Sequence, residues 1–133
     1  MDDYPKNEDD SFNDEYLEKI LSRGKDIELV LAPLLFSNEE LDKLKTQLLN
    51  YIYINDSDFL ICGSHLRWIN LKNPEKIKLE RGGIFCKFNM LNESCICKTY
   101  LHRHIQFNFD ECLVFQKIDP QYQQLFNLVS LIN

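Results

Sequence analysis

The sequence predicts an α+β fold: a small curled antiparallel β-barrel of five or six strands with two N-terminal helices and one C-terminal helix. Apolar residues recur at helical spacing up to about residue 55, at a period near two from 58 to 118, and at helical spacing again from 119. The chain has 133 residues, 44% of them hydrophobic, which suits one domain with its own core. We therefore expect an acidic disordered tail over residues 1–10 and a single domain over 11–133, divided into a helical part (11–55), a β-barrel (58–118) and a C-terminal helix (119–133).

The first predicted helix follows the acidic tail. Ser11 or Asn13 can cap its start, and Gly24 suits its end. Its apolar stripe consists of Tyr16, Leu17, Ile20 and Leu21. The next segment, 27–36, is apolar without clear periodicity and contains Pro33, so we expect it to be extended or to form a broken turn.

The second predicted helix begins with a capping box formed by Ser37 and Glu40. Helical spacing continues through Leu41, Leu44, Leu48, Leu49 and Ile52. The helix should end near Ile54, because the polar residues 55–58 are typical of a loop.

The β region is predicted from short segments separated by turn residues. Asn73 and Pro74 indicate a turn, and Gly82 with Gly83 indicates a bulge or a close backbone approach. The strand segments are 59–62, 65–71, 77–80, 84–88, 95–101, 105–109 and 112–118. So short a sheet normally closes into a barrel or packs on helices, because a flat meander exposes its edges.

The C-terminal helix is predicted to start at Asp119 and Pro120, an N-cap followed by a first-turn proline. Its apolar residues are Tyr122, Leu125, Phe126, Val129 and Ile132. We expect this helix to close one opening of the barrel.

Charge is distributed unevenly along the chain. The formal net charge is −6, and residues 1–15 account for all of it with seven acidic residues and one lysine. Residues 65–118 carry nine lysines and arginines against five acids. The acidic tail could compete with nucleic acid for the basic region, or simply keep the protein soluble.

Five cysteines and the opening MDDYPKNEDD indicate a reducing, intracellular setting, because the cysteine count is odd and the opening does not resemble a signal peptide. No stretch approaches the roughly 20 apolar residues that cross a bilayer, so no membrane partner is expected.

Cys95, Cys97, His102 and His104 form the sharpest candidate set of zinc ligands, to which Cys86 or Cys112 could contribute from a neighbouring strand. Residues two apart on a strand point to the same face, but familiar zinc knuckles use Cys-x-x-Cys turns. Buried cysteines and exposed histidines are the favoured interpretation, and we expect no metal or other cofactor.

Catalysis is not predicted either. Five cysteines and three histidines allow many hypothetical nucleophile–base pairs, so none stands out. The Gly82-Gly83 pair lacks the Lys-Ser/Thr that follows a phosphate-binding loop.

Nucleic-acid binding is indicated by the basic hairpin 65–87, because small barrels combine basic strands with aromatic stacking. Strand alternation nevertheless favours Trp68 in the core over a stacking role. The candidate nucleic-acid-binding residues are Arg67, Lys76, Lys78, Arg81, Lys87 and Arg103.

One family resemblance covers residues 63–118. The pattern G-x-x-L-R-W-I, then K-L-x-R-G-G-I-F and a final strand CLVFQKI, is similar to a small β-barrel module of nucleocytoplasmic large DNA virus proteins. The matching positions are Gly63, Leu66, Arg67, Trp68, Ile69, Gly82, Gly83, Ile84, Phe85, Val114 and Phe115. The resemblance implies a giant-virus protein of the host cytoplasm, the virus factory or the virion.

We therefore expect a non-enzymatic viral structural or protein-interaction protein that acts through its small β-barrel, by binding a protein partner or its own copies. The alternative is a nucleic-acid-binding module that uses the hairpin 65–87 and is masked by the acidic N-terminal tail.

Overall fold

A computed structural model describes the backbone of residues 6–132 and the side chains of residues 13–128 and 131. Helices and strands in this part of the chain confirm the α+β class. The sheet has six strands, the higher of the two numbers predicted. In chain order they are α1 (Lys6–Leu21), α2 (Arg23–Leu31), α3 (Asn38–Gln47), β1 (Tyr51–Ile54), β2 (His65–Asn70), β3 (Gly83–Asn89), β4 (Ser94–Lys98), β5 (His104–Asn108), β6 (Cys112–Lys117) and α4 (Pro120–Ile132).

The six strands form one antiparallel sheet in the order β1-β6-β2-β3-β4-β5. The predicted closed barrel is wrong, because β1 and β5 remain the two edges of the described sheet. Helices α1 and α2 pack against β1, so this edge is covered by helices instead of by β5.

The open sheet is nevertheless strongly curled. Trp68 on β2 stacks on Phe107 on β5, with ring centroids 4.0 Å apart, although β3 and β4 lie between them in the strand order. Strands are spaced about 4.8 Å apart, so a flat sheet would separate these positions by about 14 Å. The curl creates an inner face, where Trp68 is only 5% exposed, as the sequence predicted.

Both faces of the sheet carry a core. Along β2, Leu66 and Trp68 point to the inner face and Ile69 to the outer face. The inner core also contains Tyr16, Ile20, Ile52, Ile54, Phe59, Phe85, Cys95, Cys97, Phe107, Cys112, Val114 and Ile118. Under α2 and α3, the outer core contains Ile27, Leu31, Leu44, Leu48 and Phe115.

The start of α1 corrects the predicted tail boundary. The helix begins at Lys6, so residues 6–10 are helical and the predicted caps Ser11 and Asn13 lie inside the helix. Residues 1–5 of the predicted disordered tail lie outside the described residues.

A third N-terminal helix replaces the predicted extended segment 27–36. Helix α2 contains Gly24, which was expected to end the first helix, and continues into a 3₁₀ turn at Ala32–Leu34. Pro33 lies in the first turn of that 3₁₀ segment, where its missing N–H costs no hydrogen bond. Periodicity was obscured because Leu29 is apolar yet 63% exposed.

The capping box of α3 is confirmed. Ser37 Oγ accepts a hydrogen bond from Glu40 N at 3.2 Å, and Glu40 Oε1 accepts one from Ser37 N at 3.1 Å. The predicted end near Ile54 is wrong, because α3 stops at Gln47 and Tyr51–Ile54 is a strand paired with β6.

Arg23 fixes the turn between α3 and β1. Its Nη2 donates to the Leu48 carbonyl at 2.8 Å and its Nε donates to the Tyr51 carbonyl at 3.0 Å. The guanidinium therefore caps the C-terminal end of α3 while orienting the first residue of β1.

Two predicted strands are corrected. Segment 59–62 is mainly a loop after a 3₁₀ turn at Ser57–Phe59, and segment 77–80 makes a single bridge from Leu79 to Ile69. Gln116 holds the first of these segments, as its buried Nε2 donates to the Phe59 carbonyl and its Oε1 accepts from Ile61 N. The other predicted strands and the C-terminal helix are confirmed with shifted bounds: β2, β4, β6 and α4 are shorter than predicted, β3 is longer, and β5 is displaced by one residue.

Gly82 and Gly83 mark a close backbone approach, as predicted. Gly82 has a φ of +83°, and a Cβ there would lie 1.7 Å from the Leu66 carbonyl oxygen. A Cβ on Gly83 would lie 2.7 Å from the Lys98 carbonyl oxygen. A side chain at Gly82 would therefore push β3 away from β2.

Substitution of Gly82 by alanine should destabilise the protein by roughly 2–4 kcal/mol, because it combines backbone strain with a backbone clash. The matched control is Gly24→Ala in α2, where a Cβ meets nothing within 4 Å. That variant should be unchanged or up to about 1 kcal/mol more stable. Denaturant unfolding measures both, and equal stabilities would contradict the close approach.

Candidate nucleic-acid interface

A row of side chains crosses the outer face of the sheet. Residues directly opposite in antiparallel strands point to the same face. Strand pairing places Tyr51 opposite Lys117, His65 opposite Ile84, Ile84 opposite Lys98, and Lys98 opposite His104. Because Leu66 pairs with Gln116, Lys117 is the neighbour of His65, and the row is continuous over all six strands.

Two open grooves lie along this row and share His65 and Ile84 as walls. The first, of about 420 Å³, is lined chiefly by His65, Arg67, Arg81, Gly82, Lys98 and Tyr100. The second, of about 520 Å³, is lined chiefly by Tyr51, Ser64, His65, Ile84 and Lys117. No Asp or Glu lines either groove in the part of the chain that the structure describes. We call this surface the outer basic face.

Among the side chains that the structure describes, no carboxylate forms an ion pair with a cation of the outer basic face. Within the described residues, the ion pairs join Lys45 to Glu28 and Lys72 to Glu111, and neither pair belongs to this surface. Arg67 is half-buried, and its Nε donates to the Glu80 carbonyl at 2.9 Å. That bond fixes the guanidinium beside the first groove without removing its charge.

His65 is half-buried between the cations Arg67 and Lys117. The Tyr51 hydroxyl lies 3.0 Å from Nδ1 of His65 and donates to that nitrogen when the nitrogen is unprotonated. Burial lowers the pKa of His65, and the charges of Arg67 and Lys117 lower it further. The ring therefore favours its neutral form beside these two cations.

The structure brings together only some of the predicted nucleic-acid-binding residues. Arg67 and Arg81 line the first groove, and Arg103 lines an adjacent groove with Arg81. Lys76 and Lys78 are exposed on the connection between β2 and β3, and Lys87 is exposed on β3 opposite Ile96. These last three residues do not line the two grooves.

Sequence reasoning missed His65, Lys98 and Lys117. They lie on three different strands that become neighbours only through the strand order. Strand alternation was the available signal. Lys98 and Lys117 each end a strand directly after a buried residue, Cys97 or Gln116, and adjacent residues on a strand point to opposite faces.

Aromatic side chains contribute unequally to this surface. Trp68 is buried against Phe107 and cannot stack on a base. Tyr100 is 73% exposed and lines the first groove with Arg81 and Lys98. Its exposed ring offers a flat ligand a stacking surface in this groove.

The four candidate zinc ligands from the sequence lie in different parts of the fold. Cys95 and Cys97 are fully buried in the inner core, where burial raises the pKa of each thiol to about 12. His104 pairs with Lys98 on the opposite face, and His102 lies exposed in the β4–β5 turn. Among the described residues no group of three or more His, Cys, Asp or Glu is placed to hold a metal ion.

Comparison with protein families, curated proteins and solved structures gives no significant match. The helices within residues 6–132 are all too short or too polar to span a membrane.

His65 should titrate below its ordinary pKa of 6.5 in the folded protein. Because the folded pKa is lowered, its contribution to stability is present above the unfolded pKa and is lost as the pH falls through the folded value. Lys117→Gln should raise the His65 pKa, whereas Lys43→Gln on α3 should leave it unchanged. NMR titration of the His65 ring protons measures this, and equal pKa values in both variants would contradict the charge coupling.

Proposed function

We propose that the protein binds nucleic acid through the outer basic face. The observation that supports this is the convergence of Arg67, Arg81, Lys98 and Lys117 along two grooves whose described wall residues include no Asp or Glu. Phosphates would contact these cations, which come from different segments of the sheet. Phosphate contacts of this kind position the nucleic-acid backbone but do not distinguish one base sequence from another.

The dimensions of the surface favour a polymer over a small anion. From Lys117 on β6 to Lys98 on β4 the row spans about 14 Å, which is long enough for several phosphates of one strand. Both grooves are open at the surface, so a chain can enter and leave them. The exposed ring of Tyr100 favours a single strand, whose unpaired bases can stack on it.

The acidic N-terminal tail is a proposed competitor for the same surface. Deleting residues 1–15 would remove the start of α1, the helix that supplies the buried Tyr16 to the inner core. Asp2→Asn with Asp3→Asn is therefore a sharper test of masking, because it leaves the helix intact. If the tail masks the surface, this variant binds nucleic acid more tightly than the wild type.

Fluorescence anisotropy with short single-stranded DNA and RNA and with duplex probes tests the main proposal. We expect the single strands to bind most tightly, and their affinity to fall by roughly 50-fold between about 50 and 200 mM salt for about four phosphate contacts. Arg81→Glu with Lys98→Glu should weaken binding at least about tenfold.

The matched control is Lys25→Glu with Lys43→Glu, which changes the net charge equally on exposed positions of α2 and α3. It should retain most of the affinity. If both double variants lose affinity equally, the effect is one of net charge and the assigned surface is incorrect. If the wild-type chain binds none of the probes, the proposal fails.

Self-association is a second proposed function, and it corresponds to the protein-interaction role expected from the sequence. Leu125, Leu128 and Leu131 recur every three residues along α4 and are 40%, 58% and 83% exposed. Tyr122 and Phe126 on the same helix pack against the inner core instead. The exposed leucines thus form an apolar stripe that a second copy could cover. The viral origin and the cytoplasmic, factory or virion location implied by the resemblance stay predictions.

Leu128→Glu should shift the protein towards the monomer in sedimentation equilibrium, because it places a charge in the stripe. Gln47→Glu adds the same charge at an exposed position of α3, outside this stripe, and should leave the mass unchanged. A wild-type chain that stays monomeric up to millimolar concentration would rule out self-association through α4.

A further inference from the structure

Two exposed thiols are neighbours at the edge of the second groove. Cys62 lies in the loop before β2, and Cys86 lies on β3. Gly63 N donates to the Phe85 carbonyl at 2.9 Å, and Phe85 N donates to the Ser64 carbonyl at 2.8 Å. Gly63 has a φ of +92°, so Gly63 and Ser64 oppose the single residue Phe85 in the manner of a G1 bulge. The next residue on each segment is a cysteine, and the two cysteines are therefore cross-strand neighbours.

The side-chain positions agree with this pairing. Cys62 Sγ lies 3.4 Å from the Cys86 carbonyl oxygen, so the Cys62 side chain points across to the backbone of its neighbour. Cys86 Sγ lies 3.5 Å from the Ile84 carbonyl oxygen. Opposite residues in antiparallel segments have Cα atoms about 4.5–5.5 Å apart, within the range of about 4.4–6.8 Å that a disulfide bridges.

The other three cysteines differ from this pair. Cys95, Cys97 and Cys112 are buried in the inner core. Burial raises the pKa of Cys95 and Cys97 to about 12 and that of Cys112 to about 11, which keeps their thiols protonated. Since the thiolate is the reacting form, exchange chemistry is confined to the exposed pair.

We propose that Cys62 and Cys86 form a reversible intramolecular disulfide, with a low-molecular-weight disulfide of the glutathione type as the oxidant. One protein thiol loses its proton, and its sulfur attacks the oxidant, breaking the oxidant's S–S bond and releasing one small thiol. The second protein sulfur, also deprotonated, then attacks the mixed disulfide and releases the second small thiol. The two protein thiols are oxidised by two electrons, and the oxidant is reduced to two thiols that take up the two protons.

The bridge would tie the loop before β2 to β3 across a separation of 24 residues. Gly63 and Ser64 form one wall of the second groove, so the oxidised protein has that wall fixed. Cross-linking a loop of this length restricts the unfolded chain, and the oxidised form should melt higher than the reduced form by roughly 5–10 °C.

The test uses the full-length protein, incubated with oxidised glutathione, blocked with an alkylating reagent and digested for peptide mass spectrometry. We expect the chain to lose the mass of two hydrogen atoms, to retain three alkylatable thiols after unfolding, and to yield a single cross-linked peptide joining Cys62 to Cys86. Dithiothreitol should reverse the change. Cys62→Ser should instead carry one glutathione on Cys86, and Cys86→Ser one on Cys62.

Three results would overturn the proposal: glutathione on both residues without a cross-link, a link between two copies of the chain, or a bridge that includes a buried cysteine. Cys112→Ser is the matched control, because it removes a buried thiol and should leave the Cys62–Cys86 bridge intact. The readout is independent of nucleic-acid binding, so failure of either proposal leaves the other standing.

Discussion

The pairing of β6 between β1 and β2 is the constraint on which the rest of the fold depends. Four consecutive residues of β6 serve four different parts of the molecule. Val114 fills the inner core and Phe115 fills the outer core, and both are fully buried. Gln116 holds the loop before β2 by two hydrogen bonds, and Lys117 extends the outer basic face. Alternation along β6 sends neighbouring side chains to opposite faces of the sheet. Pairing with β1 on one side and β2 on the other places this strand within the sheet, so both of its faces meet residues distant in sequence.

The curl of the sheet determines which surface is left open. Since Trp68 reaches Phe107 across the inner face, the strands from β3 to β5 bend away from α2 and α3, whose core centres on Ile69 and Phe115. The outer surface of these strands consequently carries Lys98 and His104 exposed to solvent. Gly82 permits the bend by bringing its backbone against Leu66, where a side chain would not fit. The grooves of the outer basic face are thus a consequence of core packing on the other side.

Local signals predicted local structure, and tertiary pairing decided the remainder. The capping box of Ser37 and the glycine pair were predictable because their physics lies within a few residues. Strand β1 was not predictable, since Ile52 continues the helical spacing of Leu48 and only pairing with β6 makes Tyr51–Ile54 extended.

The residues of the candidate site also fall into a predictable group and an unpredictable one. Arg67 and Arg81 belong to one hairpin and were predicted together, whereas Lys98 and Lys117 approach them only through the strand order. The predicted barrel failed for a related reason, because helices cover the edge that a barrel would have closed.

The overall acidity of the chain does not argue against a polyanion ligand. The net charge of −6 is carried by residues 1–15, and the other residues are balanced. At physiological salt, charges separated by more than about 8 Å are largely screened. A ligand in a groove therefore interacts more strongly with the charges that line the groove than with the net charge of the chain. Arg67 is half-buried and is held by the Glu80 carbonyl, and such a group is screened less than a fully solvated lysine. Burial lowers the pKa of His65 most, and the charges of Arg67 and Lys117 lower it further. The same two charges would attract a phosphate to the grooves that His65 lines. The proposed binding of nucleic acid and the lowered pKa of His65 therefore both draw on the positive charge of Arg67 and Lys117, to which burial adds the larger part of the His65 shift.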